Sequence, residues 1–200
     1  MHTIKECFEI ILTGNKEASR QAARQVSKVL YSAQDKHNKY VEIADIINSA
    51  PVEYLTILEN WRQENFVMAI SVIYFLHDKE QDPDFLFPWL FELLQHQNGY
   101  IRHAAVKMIC NELGPLTYHI RFPNEKSTWH AFSPKKADQI LCSLFISLHQ
   151  LAAAQWQPKY KKYKYIDSLP VSSYKSVQMI LADMADLCGI EYFNQLSALL

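Results

Sequence analysis

The chain has 200 residues, 49% of them hydrophobic, and a formal net charge of −1, which is enough for one sizeable core and too little for two independent domains. Only 4 glycines occur, so Gly-rich phosphate loops and tight β-turns have little material, and helices are favoured. The charge is unevenly spread: residues 1–35 carry +1, residues 36–100 carry −6 and residues 101–200 carry +4, an asymmetry that can steer a partner but does not set a fold.

Met1 to Ile10 holds Lys5, Glu6 and Glu9 among its apolar residues, unlike a secretory leader. In that first stretch Ile4, Phe8, Ile11 and Leu12 form one helical stripe, and Ala22, Val26, Val29 and Leu30 form the next. Between them Gly14 suits a left-handed C-terminal cap and Asn15 an N-cap, so two antiparallel helices are expected. A third helix is expected around Tyr40 to Asn48, stopping at Ser49-Ala50-Pro51. Pro51 then opens a fourth helix reaching about Arg62. After a break at Gln63-Glu64-Asn65, Phe66 to His77 is apolar on nearly every side and is expected between neighbouring helices. The longest apolar stretch lies near Met68 to Leu76, about half of the ~20 residues that cross a bilayer, so no membrane insertion is expected.

Asp78 to Asp84 reads as a charged loop whose Asp82-Pro83-Asp84 starts a helix over Phe85 to Gln95. A turn at Gln97-Asn98-Gly99 leads to Tyr100–Leu113, closed by Gly114-Pro115. Residues 114–134 form a long link, Lys135 to Trp156 a helix with Ile140, Leu144, Leu148 and Leu151 on one stripe, and residues 157–173 a second link. The last helix, Tyr174 to Leu187, ends at Gly189. Cys7, Cys110, Cys142 and Cys188 are widely spaced without a CxxC pair, which points to buried thiols in a reducing, cytoplasmic setting.

Leu86-Phe87-Pro88-Trp89-Leu90-Phe91, the turn at Asn98-Gly99 and Ile101-Arg102-His103-Ala104-Ala105 together resemble a HEAT repeat, with its first-helix proline, polar turn and Val-Arg-x-Ala-Ala-like second helix. Ser19-Arg20-Gln21-Ala22-Ala23 repeats that opening, and Val67-Met68-Ala69-Ile70 is a fainter echo. The resemblance implies an all-α fold, an α-α superhelix of antiparallel helix pairs of the HEAT/armadillo type. It is expected as a single domain over residues 1–200, HEAT-like through 1–113 and divergent over 114–200.

The resemblance also implies that the second helices line a concave face. Arg20, Arg24, Lys28, Arg102 and Lys107 would fall there as a basic groove or as an ordinary solvated face. His119, Arg121, Trp129 and His130 mark the first long link as a pocket or a plug for the core. In the second link Lys159, Tyr160, Lys161, Lys162, Tyr163, Lys164 and Tyr165 alternate cations with aromatics, a composition that suits single-stranded nucleic acid or a solvated linker.

No GxSxG, HExxH or Walker pattern occurs, and no catalytic residue, cofactor or metal is assigned. HEAT-like glycosylases that excise alkylated bases use a Trp-Asp pair. Here Trp61, Trp89, Trp129 and Trp156 are followed by Arg62, Leu90, His130 and Gln157. The expected function is a scaffold or adaptor that binds a protein on its concave face. A nucleic-acid-binding module using the basic groove and residues 159–165 is the alternative, and a HEAT-like enzyme the second. Nothing in the sequence sets an oligomeric state.

Overall fold

The computed structural model describes residues 2–32, 36–77, 82–125, 133–162 and 171–200, with 36–40 and 161–162 as backbone only. The described residues are all-helical, without strands, and no helix among them is long and apolar enough to cross a membrane. The chain gathers into two compact units, Met1–Asp78 and Lys79–Leu200.

In the first unit, α1 (Ile4–Thr13) begins at a capping box. Thr3 Oγ1 accepts from the Glu6 amide at 3.1 Å, and the Glu6 carboxylate accepts from the Thr3 amide at 2.9 Å. Ile4, Cys7, Phe8 and Ile11 are its buried face. Gly14 follows with φ −70°, not the left-handed cap expected of it. Its glycine is required instead by proximity, since a Cβ at this position would sit 2.7 Å from the Ile10 carbonyl oxygen. Asn15 then caps α2 (Lys16–Leu30) by accepting from the Ala18 amide at 2.9 Å, and Ser19, Ala22, Val26 and Val29 turn inward.

The next helix corrects two expectations. α3 (Lys36–Thr56) runs straight through Pro51, and α4 (Asn60–Ile73) runs through Gln63-Glu64-Asn65; the break lies at Ile57 to Glu59. The reason is packing. Ile43, Ile47 and Ala50 are each 0% exposed and form one continuous stripe that proline does not interrupt. The polar residues read as a break are occupied within the fold: Gln63 Nε2 donates to the Ile57 carbonyl at 2.9 Å, and Asn65 Nδ2 donates to Ser19 Oγ at 3.1 Å. α1 packs on α2, α2 on α4, and α3 on both α1 and α4, with Phe8 and Phe66 edge to face at 5.8 Å. A 3-10 turn, Tyr74–Leu76, closes the unit.

In the second unit α5 (Phe87–Leu94) starts two residues later than expected, because Asp82 and Asp84 spend their carbonyls on turns to the Phe85 and Phe87 amides. α6 (Gly99–Leu116) passes through Gly114-Pro115 instead of stopping there. Leu116 continues the buried stripe three residues after Leu113, and Thr117 Oγ1 donates to the Leu113 carbonyl at 2.6 Å. The first link therefore opens with a short helix, α7 (Tyr118–Arg121). Ser133 caps α8 (Pro134–Gln155), which buries Ile140, Leu144 and Leu148 as expected. A 3-10 turn spans Pro158–Lys162, and α9 (Ser173–Ser197) is two helical segments that meet at Gly189, whose non-helical φ of 75° ends the first of them before a second runs on to Ser197. α6 packs on α5 and α9, α8 packs on α9, and α7 touches α6 and α9.

Candidate functional site

Arg20, Arg24 and Lys28 project from the exposed side of α2, and only a loose ion pair, Arg20 to Glu17 at 3.9 Å, ties the first of them. The remaining groove candidates sit on α6 in the second unit and part company there. Lys107 is exposed, but Arg102 is only 7% exposed. Its Nη1 donates to the carbonyls of His96 and Gln97, each at 2.7 Å, and so closes the turn between α5 and α6. That use of the guanidinium makes Arg102 an internal tie and takes it out of a solvent-facing groove.

His119 and Arg121 lie on α7, while Trp129 and His130 fall outside the described residues. Arg121 is turned back on its own helix end. Its Nε donates to Thr117 Oγ1 at 3.1 Å, its Nη2 donates to the Gly114 carbonyl at 2.8 Å, and its guanidinium covers the Phe122 ring at 5.2 Å. His119 Nε2 meets Asp138 Oδ1 at 2.9 Å, and Tyr192 donates its hydroxyl to that same oxygen at 2.5 Å. This node joins α7, the start of α8 and the segment after Gly189. Burial, followed by the Asp138 hydrogen bond, pushes the Tyr192 phenol far above its ordinary range. Burial, with Asp138 beside it, pushes the Cys188 thiol up to about 11, and Cys110 is driven higher still by burial and Asp183. Both are held as thiols at neutral pH and lack the thiolate character of a nucleophile.

In the Lys/Tyr run, Tyr160 stacks on Tyr174 with ring centroids 4.8 Å apart and planes 7° from parallel, and Lys159 Nζ lies 5.2 Å from the Tyr160 ring. One face of that ring is thereby used inside the protein. The side chains of Lys161 and Lys162, and all of Tyr163, Lys164 and Tyr165, lie outside what is described.

Two features escaped sequence reasoning. A shallow groove between α5 and α8 is floored by Phe87, Phe91 and Leu144, with Ser143 and Ser147 along it. More pronounced is the outer face of α3: Val41 is 54% exposed, Val52 67% and Leu55 76%, and Leu58 just beyond the helix is 88% exposed. On one continuous helix, positions 41, 45, 48, 52 and 55 fall on a single stripe opposite Ile43, Ile47 and Ala50. Placing a break at Pro51 had divided that stripe between two helices, which hid it.

Among the described residues no group of three His, Cys, Asp or Glu side chains is placed to hold a metal ion. No family model matches the chain, and neither does any curated protein or solved structure.

Proposed function

We propose that the chain is a protein-binding adaptor built from HEAT-like helix pairs, and that its partner docks on the exposed aliphatic face of α3. The packing order supports the HEAT-like part. In the first unit α1/α2 and α3/α4 read as two pairs whose first helices (α1, α3) touch and whose second helices (α2, α4) touch; in the second, α5/α6 and α8/α9 read as pairs joined through α6 and α9. Arg102 bonds to the turn of its own pair and not to a neighbouring one, so it lends the HEAT-like reading no support of its own.

The observation that carries the binding reading is Val52, Leu55 and Leu58 held at 67%, 76% and 88% exposure. Single exposed aliphatics are ordinary, but two on one helix face with a third just past the helix end form a patch that another protein can cover. On this reading the partner would dock on the first-helix layer, whereas the resemblance implied the concave one. Nucleic acid remains the second reading, on the exposed Arg20, Arg24 and Lys28 of α2, with Arg102 and one face of Tyr160 used internally. Four free thiols support a reducing compartment such as the cytoplasm.

The test is photo-crosslinking in the source cells from a benzophenone side chain at position 55. The protein reading expects a discrete adduct that protease removes and nuclease leaves intact. An adduct that nuclease removes, or none above that of an unirradiated control, overturns it.

A further inference from the structure

We propose that the α3 face receives a basic amphipathic helix from a partner protein, an inference that rests on the protein-binding reading and adds the chemistry of the occupant. Between Val41 and Asn60 the charged residues are Glu42, Asp45, Glu53 and Glu59, with no lysine or arginine among them. Asp45 is exposed and lies on the apolar stripe itself, between Val41 and Val52. Glu59 is exposed beside Leu58 but is paired with Arg62 at 3.2 Å, so the negative charge of this edge rests on Asp45 with the half-buried Glu42 and Glu53. The surface is therefore large aliphatics edged by negative charge of one sign. Its complement is an apolar stripe edged by lysine or arginine.

Geometry adds the shape. Val41 to Leu55 is 15 residues of one helix, 14 steps of ~1.5 Å or about 21 Å, which is the length of some four turns of a partner helix laid alongside. A helix presenting apolar side chains at three- and four-residue intervals matches the Val52–Leu55 spacing and extends past the helix end to Leu58.

A second copy of the chain is the obvious rival, and its chemistry fits poorly. Apposing α3 to α3 would set Glu42, Asp45, Glu53 and Glu59 against the same four residues. The exposed basic side of α2 offers Arg20, Arg24 and Lys28 among Gln21 and Gln25, but no large exposed aliphatic between Lys16 and Lys28 to anchor it. An anionic lipid surface would be repelled by the same carboxylates.

The test is fluorescence anisotropy of the full chain with a labelled peptide of about 18 residues, ~27 Å as a helix, in which leucine and lysine are patterned for one apolar face. The controls are the same peptide with glutamate for lysine, and a scrambled leucine/lysine peptide. Saturable binding of the patterned basic peptide alone is expected. Leu55→Asp should weaken it by about tenfold or more, because it removes one buried aliphatic anchor. The pair Asp45→Lys/Glu53→Lys should transfer preference to the glutamate peptide. Asp45 and Leu55 are exposed and Glu53 is half-buried, and an unchanged far-UV circular dichroism spectrum verifies each fold. The proposal is overturned by no saturable binding, by equal binding of the scrambled peptide, by insensitivity to Leu55→Asp, or by a dimer in sedimentation velocity that Leu55→Asp dissolves. If crosslinking at position 55 captures a protein that the basic peptide fails to displace, protein binding stands and this inference alone falls.

Discussion

Arg62 stands at the first turn of α4, and its side chain is only 12% exposed. One nitrogen, Nη1, donates to the carbonyls of Ile11 at 2.9 Å, Leu12 at 2.5 Å and Gly14 at 3.1 Å. The end of α1 leaves carbonyls without helical partners, and a guanidinium from α4 supplies them. Nε of the same side chain holds Glu59 at 3.2 Å, and the guanidinium lies 4.5 Å from the Trp61 ring centroid. Replacing Arg62 with alanine removes several charge-assisted bonds at once. At about 1.5–3 kcal/mol each, and shared rather than additive, the expected cost is roughly 3 kcal/mol. Glu59→Gln removes only an ion pair to a carboxylate that is 47% exposed, and solvent screening makes its expected cost much smaller than that of Arg62→Ala. Guanidinium denaturation followed by circular dichroism measures both. Amide hydrogen exchange localises the effect: in Arg62→Ala the amides around the α1–α2 turn should exchange roughly a hundredfold faster. A loss below about 0.5 kcal/mol in Arg62→Ala, or an equal loss in Glu59→Gln, would refute the assignment of the stabilisation to the carbonyl cluster.

Other expectations follow from single sites. Gly14→Ala places a Cβ 2.7 Å from the Ile10 carbonyl oxygen, whereas a Cβ at Gly114 meets nothing within 4 Å beyond its chain neighbours and faces only the penalty of a helical residue before Pro115; thermal melts should show Gly14→Ala losing about 1–3 kcal/mol and Gly114→Ala losing less, and equal shifts would contradict the contact argument. His96 accepts from the Asn98 amide through Nδ1 at 2.9 Å, and burial, with Arg102 beside it, lowers its pKa below 6.5. The unfolded chain thus binds this proton more readily. The contribution is whole above 6.5 and declines as pH falls below it, so melting temperatures should drop on acidification to about pH 5, less steeply in His96→Gln. Identical slopes would remove His96 from the account. Tyr192→Phe deletes the bond to Asp138 and should speed hydrogen exchange after Gly189 while leaving Ser173 to Leu187 unchanged; uniform acceleration would mean the node does not hold that segment locally.

The helical class and much of the core were legible because burial writes itself at helical spacing: Ile4, Phe8 and Ile11, or Ile140, Leu144 and Leu148, need no tertiary context to be recognised. Proline and glycine misled, since a buried stripe running on both sides of them outweighs even the ~3 kcal/mol that a proline inside a helix costs. Ala50 anchors α3 across Pro51, and Leu116 anchors α6 across Gly114-Pro115. Cations were the least legible. Arg20 and Arg102 occupy like positions in two similar motifs, yet Arg20 is in solvent and Arg102 is folded onto its own turn. Arg62 reads as an ordinary polar residue until the carbonyls of Ile11, Leu12 and Gly14 are brought to it by the fold. The exposed face of α3 was visible in composition only, because its residues make a stripe once Pro51 is inside the helix.

The most direct test compares the partner recovered from the source cells after crosslinking by two surface variants of the full chain. The double substitution Val52→Asp/Leu55→Asp alters the aliphatic face, and Arg20→Glu/Arg24→Glu reverses the exposed basic side of α2. A protein adduct lost in the first and retained in the second is the predicted result. An adduct retained in the first and lost in the second would contradict docking on α3 and place recognition on the basic helix.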